Sequence, residues 1–457
     1  MKLFNKLIIA SAFAASLILL LGVSPSIKKH HELSQFISPD TCGSCHSEIF
    51  DQWENSMHNL SQKDPVYSNL AGFLLKGLTD KDEIAEAESC VKCHVPVGYI
   101  TGYPEKLSDD KKKIPELATH GIQCDYCHSA TSAEKLYNND LKIAPGNGED
   151  DPGIKRGPFK DSNSDFHESE FSEFHTSSKI CGTCHNVRHV VFGTNLETTY
   201  EEWKNGPYNS RDPQKMVTCQ GCHMYQRPGI PATGSTDRPK NRGRASDDDS
   251  PVRGHIFTHY FVGGNSFIPG QFNDRIKRKM AEERLKNAAT ISINHNQTPK
   301  GEQLIIQITN TGAGHYLPTG LTDIRQMWLE IIVKDEQERI IYSSGRLDRD
   351  SYIPGGTIIY NTVFGDGKGN PVMNIAKARE ILKDKRIPPL KSVNETITLP
   401  KKDWKYLAVN VKLLYRSAPQ KILDMVSGKG KLLLPVITMA EAEKKVTSRQ
   451  GVSSFED

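Results

Sequence analysis

Five copies of one short pattern constrain this chain more than anything else in it: Cys42-Gly-Ser-Cys45-His46, Cys90-Val-Lys-Cys93-His94, Cys124-Asp-Tyr-Cys127-His128, Cys181-Gly-Thr-Cys184-His185 and Cys219-Gln-Gly-Cys222-His223. The chain has 10 cysteines and all lie in these motifs, so none remains for disulfides, zinc or nucleophilic catalysis. C-x-x-C-H is the attachment signal of a c-type haem. On one helical turn, residues i, i+3 and i+4 share a face. Two sulfurs can then reach the vinyl groups on one edge of a porphyrin, while the next histidine swings beneath the ring to bind iron. A disulfide framework needs cysteines far apart, usually in a small chain. Zinc ribbons do not demand a histidine after every second cysteine, and a thioredoxin-like motif occurs once. The expectation is five covalently bound haem c groups, with His46, His94, His128, His185 and His223 as proximal iron ligands.

The length of 457 residues predicts two or three domains. A formal net charge of +3 gives no reason to expect a nucleic-acid partner, and haem propionates shift the assembled protein toward negative. Met1-Lys2-Leu3-Phe4-Asn5-Lys6 precedes an apolar run from Leu7 to Val23. This predicts a signal peptide over residues 1–26, cleaved after Ser26, or a retained N-terminal membrane anchor. No cysteine follows closely enough for a lipoprotein signal. Lys2 and Lys6 favour the N-terminus inside and the remainder outside. The expected location is the periplasm or cell surface, consistent with haem attachment outside the cytoplasm.

Residues 27–273 read as a pentahaem cytochrome c domain. Turn-forming stretches such as Pro145-Gly146-Asn147-Gly148 interrupt it, and it lacks the periodic segments of an ordinary core. Short α-helices and loops wrapped around haems are expected. Asp274 to Asn287 reads as a connecting helix (274–288), with Ala281-Glu-Glu-Arg-Leu285 favouring helix. The texture then changes. Ala289–Asn294, Leu304–Thr309, Trp328–Val333, Ile340–Tyr342, Thr396–Thr398, Leu407–Leu413 and Leu432–Ile437 look like strands. They predict an all-β, immunoglobulin-like sandwich over 289–457.

An internal echo lies in the haem region. Cys42 to His46 precedes Phe50-Asp-Gln-Trp53-Glu-Asn-Ser-Met57-His58, and Cys181 to His185 precedes Tyr200-Glu-Glu-Trp203-Lys-Asn-Gly-Pro-Tyr208. The second copy has a longer insert and carries Tyr208 where the first has His58, and duplication is the better reading. Each iron takes a sixth ligand or stays open. The candidate distal ligands are His58, His120, His175, His255, His167, His259 and His315, the last in the loop Gly312-Ala-Gly-His-Tyr-Leu-Pro-Thr-Gly320 of the β-domain. His120 is too close to Cys124 to serve its own motif comfortably and is expected on a neighbouring haem. Met57 and Met224 read as packing residues, His30 and His31 as solvated linker.

At these residues the chain resembles the cytochrome c-552/4 family of multihaem electron carriers. The matching pieces are Cys42 to His58, His120-Gly-Ile-Gln-Cys124-Asp-Tyr-Cys-His128, Cys181-Gly-Thr-Cys-His185-Asn186-Val187, and Glu202-Trp203 leading to Cys219-Gln-Gly-Cys-His223-Met224. They cover about half the chain. The resemblance implies exported electron-transfer proteins with closely packed, mostly bis-histidine haems, and relatives in nitrogen-compound redox chemistry. The Gly312 to Gly320 segment resembles β-domains appended to some larger multihaem cytochromes. Two features depart from the simplest members: five motifs instead of four, and Tyr208 in place of a histidine. Distal ligation carries over firmly only to His58 and His120.

Three functions follow as expectations. The first is an electron carrier between periplasmic, membrane or extracellular redox partner proteins, with no catalytic residue of its own. The second is an oxidoreductase acting on a small nitrogen or sulfur oxyanion at one open haem. Against a nitrite-reductase-like enzyme, no motif ends in lysine and the C-terminal half is strand-rich. The third is a subunit of a cytochrome filament, another homo-oligomer or a membrane redox complex, docking through its β-domain.

Overall fold

A computed structural model describes residues 31–246, 250–299, 301–399 and 404–447. The segment read as signal or anchor, residues 1–26, lies outside them, as does His30. No helix among the described residues is long and apolar enough to cross a membrane.

From residue 31 to 273 the chain makes short helices joined by loops and small strand pairs. The longest helices, Pro65–Leu75 and Lys81–Ser89, each begin at an aspartate that caps free backbone donors. Asp64 accepts from Val66 and Tyr67, Asp80 from Asp82 and Glu83. Every C-x-x-C-H is a single helical turn. The His46 N–H donates to Cys42 O at 2.9 Å, His94 to Cys90 O at 3.2 Å and His185 to Cys181 O at 2.9 Å. Cys124–His128 and Cys219–His223 are helical throughout. Local hydrogen bonding therefore sets the cysteine–cysteine–histidine geometry.

The internal echo is a structural repeat. The Phe50 ring lies over Gly43 and the Tyr200 ring over Gly182, where a Cβ would come within 2.7 Å and 2.6 Å of the ring atoms, so both positions need glycine. The Phe50 and Trp53 rings are 5.8 Å apart, Tyr200 and Trp203 5.7 Å. Trp53 Nε1 donates to Ile122 O and Trp203 Nε1 to Val217 O, both at 2.8 Å. Ile122 and Val217 each stand two residues before the first cysteine of a motif. Each buried indole thus fixes the motif that follows it.

The predicted connecting helix is present as Arg275–Lys286. Asp274 caps it by accepting from Lys277 N–H at 2.8 Å, and Met280, Ala281 and Leu285 are buried. The β-rich region begins immediately after it. One antiparallel sheet orders the strands Ser392–Thr398, Gly301–Asn310 and Ala289–Thr298. A second runs Ile340–Ser344, Gln326–Asp335, Tyr406–Arg416, Ile437–Thr447, with Ile359–Tyr360 also paired to Gln326–Asp335. Alternate residues point inward, as the two-residue period of a strand requires. Leu304, Ile306 and Ile308 from the first sheet meet Leu329, Ile331, Val333, Val409 and Val411 from the second in one core.

One expected strand differs. Leu432 to Val436 joins no ladder, and pairing begins at Ile437. The Gln420 side chain replaces the ladder: its Nε2 donates to Leu432 O at 2.7 Å, and its Oε1 accepts from Leu434 N–H at 2.9 Å. Pro435 has no N–H to contribute. Gln420 opens an unanticipated helix, Gln420–Ser427, whose Leu423 packs with Leu434 against Leu60, Phe267 and Ile268 of the haem region. The β-rich region is therefore joined to the haem region through a second apolar cluster.

Ile306 is fully buried between the sheets. Ile306→Ala should lower the unfolding free energy by about 2–5 kcal/mol, measured by denaturant titration, with haem content per chain unchanged.

Candidate haem centres

All ten motif cysteines and all five motif histidines line a single cavity of about 1340 Å³. None of the cysteines is in a disulfide. Their thiols meet across motifs: Cys42 with Cys124, Cys93 with Cys184, and Cys181 with Cys219. Burial pushes Cys127 up to about 12, with Cys184 adding to it. The motif of Cys124 therefore neighbours those of Cys42 and Cys181. The motifs of Cys90 and Cys219 both adjoin that of Cys181.

The histidines decide whether such a cavity suits haem. A metal-binding imidazole normally donates its other N–H to a fixed acceptor, which sets the tautomer. The Nδ1 atoms of His46, His94, His128 and His223 lie 2.6, 2.9, 2.6 and 3.2 Å from the carbonyl oxygens of Ala245, Ser61, Arg156 and Val262. His185 Nδ1 lies 3.3 Å from a Glu197 carboxylate oxygen. Oxygens without a proton can only accept, so each of these rings carries an N–H on Nδ1, and in the neutral imidazoles Nε2 is the nitrogen with the lone pair.

Non-motif histidines share the cavity wall: His58, His167, His175, His259 and His315. Metal–imidazole bonds of about 2 Å put two rings on opposite faces of one iron with centroids roughly 6 Å apart. His46 and His167 stand 6.4 Å apart with planes at 24°, His185 and His58 6.3 Å at 25°. His128 has two neighbours, His259 at 6.3 Å and His175 at 5.8 Å. Their tautomers separate them. His259 Nδ1 bonds Phe257 O at 2.9 Å, freeing Nε2. His175 Nε2 donates to Cys127 O at 2.9 Å, so its Nδ1 accepts from Ser172 Oγ and neither nitrogen is free. His315 Nδ1 bonds Tyr316 O at 3.0 Å.

Two other candidates lie elsewhere. His120 is off the cavity wall, with its ring 6.5 Å from that of Trp53. His255 is also off the wall and stacks on Tyr225 at 3.7 Å. Its Nδ1 accepts from Asn241 N–H at 2.9 Å, so its remaining nitrogen is a donor.

Burial favours the neutral imidazole. It pulls His58 and His128 down to about 3 and His259 to about 4, with neighbouring histidines adding to the shift. His185 is the exception. Burial lowers it, but the Glu197 carboxylate outweighs that and raises it to about 9. In metal sites such a partner strengthens the ligand. The donor set, its tautomers and the ring spacings all fit covalently held haem.

The motif spacing did not reveal Glu197, nor Tyr67, whose ring stacks on His94 at 3.9 Å and 1°. No local pattern marks either one, because both reach the site through tertiary contacts.

A family profile described as cytochrome c554 and c-prime matches residues 41–129, which hold the first three motifs. The fold is similar to that of a penta-heme cytochrome c552 from Thermochromatium tepidum, known from its crystal structure. The TM-score is 0.60 at 18% identity, covering 91% of this chain and 100% of that one. At that identity the likeness speaks to fold alone. No curated protein matches the chain.

His58→Ala should convert one haem from low to high spin without loss of any haem, read by electron paramagnetic resonance and intact mass. An unchanged spectrum would remove His58 from the coordination of the His185 iron.

Proposed function

Taking the chain as a multihaem c-type cytochrome, we propose that it is an exported pentahaem electron carrier with mostly bis-histidine haems. The observation that carries this reading is the single cavity in which motif and non-motif imidazoles oppose one another at iron-spanning distance. Haem supplies the one-electron couple. The imidazole pairs His46 and His167, His185 and His58, and His128 and His259 would hold iron, and the shared cavity wall would keep the porphyrins together. Haems bonded at neighbouring cysteines would lie close to one another, which suits electron hopping. Paired histidine lacks the potential-raising effect of a methionine ligand, which points to redox partner proteins of low potential. We read the two sheets that share a core after residue 288 as an immunoglobulin-like sandwich.

Intact mass of the exported protein should show five added haems, and a redox titration should reduce all of them with no substrate present. A bare polypeptide mass would end this reading.

One observation favours a second function. His94 is faced by the Tyr67 ring, and the opposed imidazole pairs belong to His46, His185 and His128. An open haem at Cys90–His94 would suit reduction or oxidation of a small nitrogen or sulfur oxyanion. The wild-type ferric protein would then show one high-spin haem that turns low-spin on adding cyanide. A wholly low-spin spectrum leaves the electron-carrier reading alone.

A further inference from the structure

The repeat built on Trp53 and Trp203 aligns more than the residues that disclosed it. A shift of 150 positions carries Phe50 to Tyr200, Gln52 to Glu202, Trp53 to Trp203 and His58 to Tyr208. The same contacts join the haem motifs in each copy. In the first copy Cys42 meets Cys124, and in the second Cys181 meets Cys219, the leading cysteine of each motif in both cases. The trio His46, His128 and His259 therefore has a counterpart beginning with His185 and His223, and its third member needs a histidine.

The side chain just before each tryptophan identifies that histidine. Gln52 Oε1 accepts from the His259 N–H at 2.8 Å. Glu202 Oε2, at the equivalent position, accepts from the Tyr316 N–H at 3.0 Å and from Thr319 Oγ1 at 2.8 Å. The loop so held presents His315 to the cavity. His223 and His315 both line that cavity, as do Arg284 and Tyr208. Tyr208, standing where the first copy has His58, packs beside Gly314 and leaves no room for a Cβ on Gly234. The Gly234 N–H bonds Gly312 O at 2.8 Å. A histidine is absent from the repeat at Tyr208, and its neighbour in space is a histidine loop from the β-rich region.

We propose that His315 is the distal ligand of the iron whose proximal ligand is His223, so that the β-rich region completes a haem centre of the other region. This rests on the haem reading above and deepens it. The β-rich region then acts as part of the electron path, and its docking is coupled to the coordination of the haem at Cys219 and Cys222.

The test uses the full-length, haem-loaded protein. Peptide mapping must first find haem on Cys219 and Cys222 of the wild type. Its absence overturns the haem reading itself, independently of His315. His315→Ala should then raise the number of high-spin haems by one relative to wild type with all haems retained, and added imidazole should restore the wild-type spectrum. His295→Ala, a control on the strand Ala289–Thr298 where His295 pairs with Glu302, should leave the spectrum unchanged. His315→Met keeps side-chain bulk and offers a sulfur, so one haem should stay low-spin and titrate at a higher potential. A fully loaded His315→Ala protein with the wild-type spin state, or a His315→Met protein with the wild-type titration curve, overturns the assignment.

Discussion

The hydrogen bond from an imidazole Nδ1 to a fixed oxygen is the contact on which the haem region depends. It holds the rings of His46, His94, His128 and His223 in one orientation and one tautomer, with Nε2 left as the lone-pair nitrogen. The acceptors are mostly backbone carbonyls from distant segments: Ala245 for His46, Arg156 for His128, Val262 for His223. The ligand set is thus a property of how the loops pack. Rings bonded in this way resist rotation, and burial favours the uncharged form of His128 and His259. A side chain that had to be reoriented and deprotonated would bind iron less well.

Around that framework the chain has little core of its own between residues 31 and 273. Its apolar clusters are small, such as Phe36, Val97 and Tyr126, or Val91 and Leu107. Porphyrins would give the cavity of about 1340 Å³ the apolar body that the chain between residues 31 and 273 does not supply itself. The β-rich region is different, since its two sheets close on a continuous aliphatic core.

One of the contacts between the two regions is built on a carboxylate. Glu202 lies on the repeat helix Thr199–Lys204, only 7% exposed. It accepts from Thr198, from Tyr316 and Thr319 of the β-rich loop, and from Arg386. A buried charge with this many donors is satisfied. Removing one partner of such a pair typically costs about 3–5 kcal/mol. Its first-copy counterpart, Gln52, does the same positioning without charge, because no arginine faces it from a second region.

Much of this was legible in the residues. The motif turns, the repeat, the connecting helix and most of the strands follow from local spacing and two-residue or helical periods. Leu432–Ile437 was misleading because a side chain, Gln420, took over the backbone bonds of a ladder. His120 and His255 are ligand candidates by proximity in sequence, and in the fold both stand off the cavity wall, one with its ring 6.5 Å from that of Trp53 and the other stacked on Tyr225. His167, His259 and His315 gained weight only once the fold had brought them to the cavity. The sequence by itself determined how the two cysteines and the histidine of each motif stand to one another, since those atoms lie within one helical turn. Only the tertiary structure decided which imidazole stands opposite, because opposing rings such as His58 and His185 come from segments far apart in the chain, and no local hydrogen bond fixes their separation.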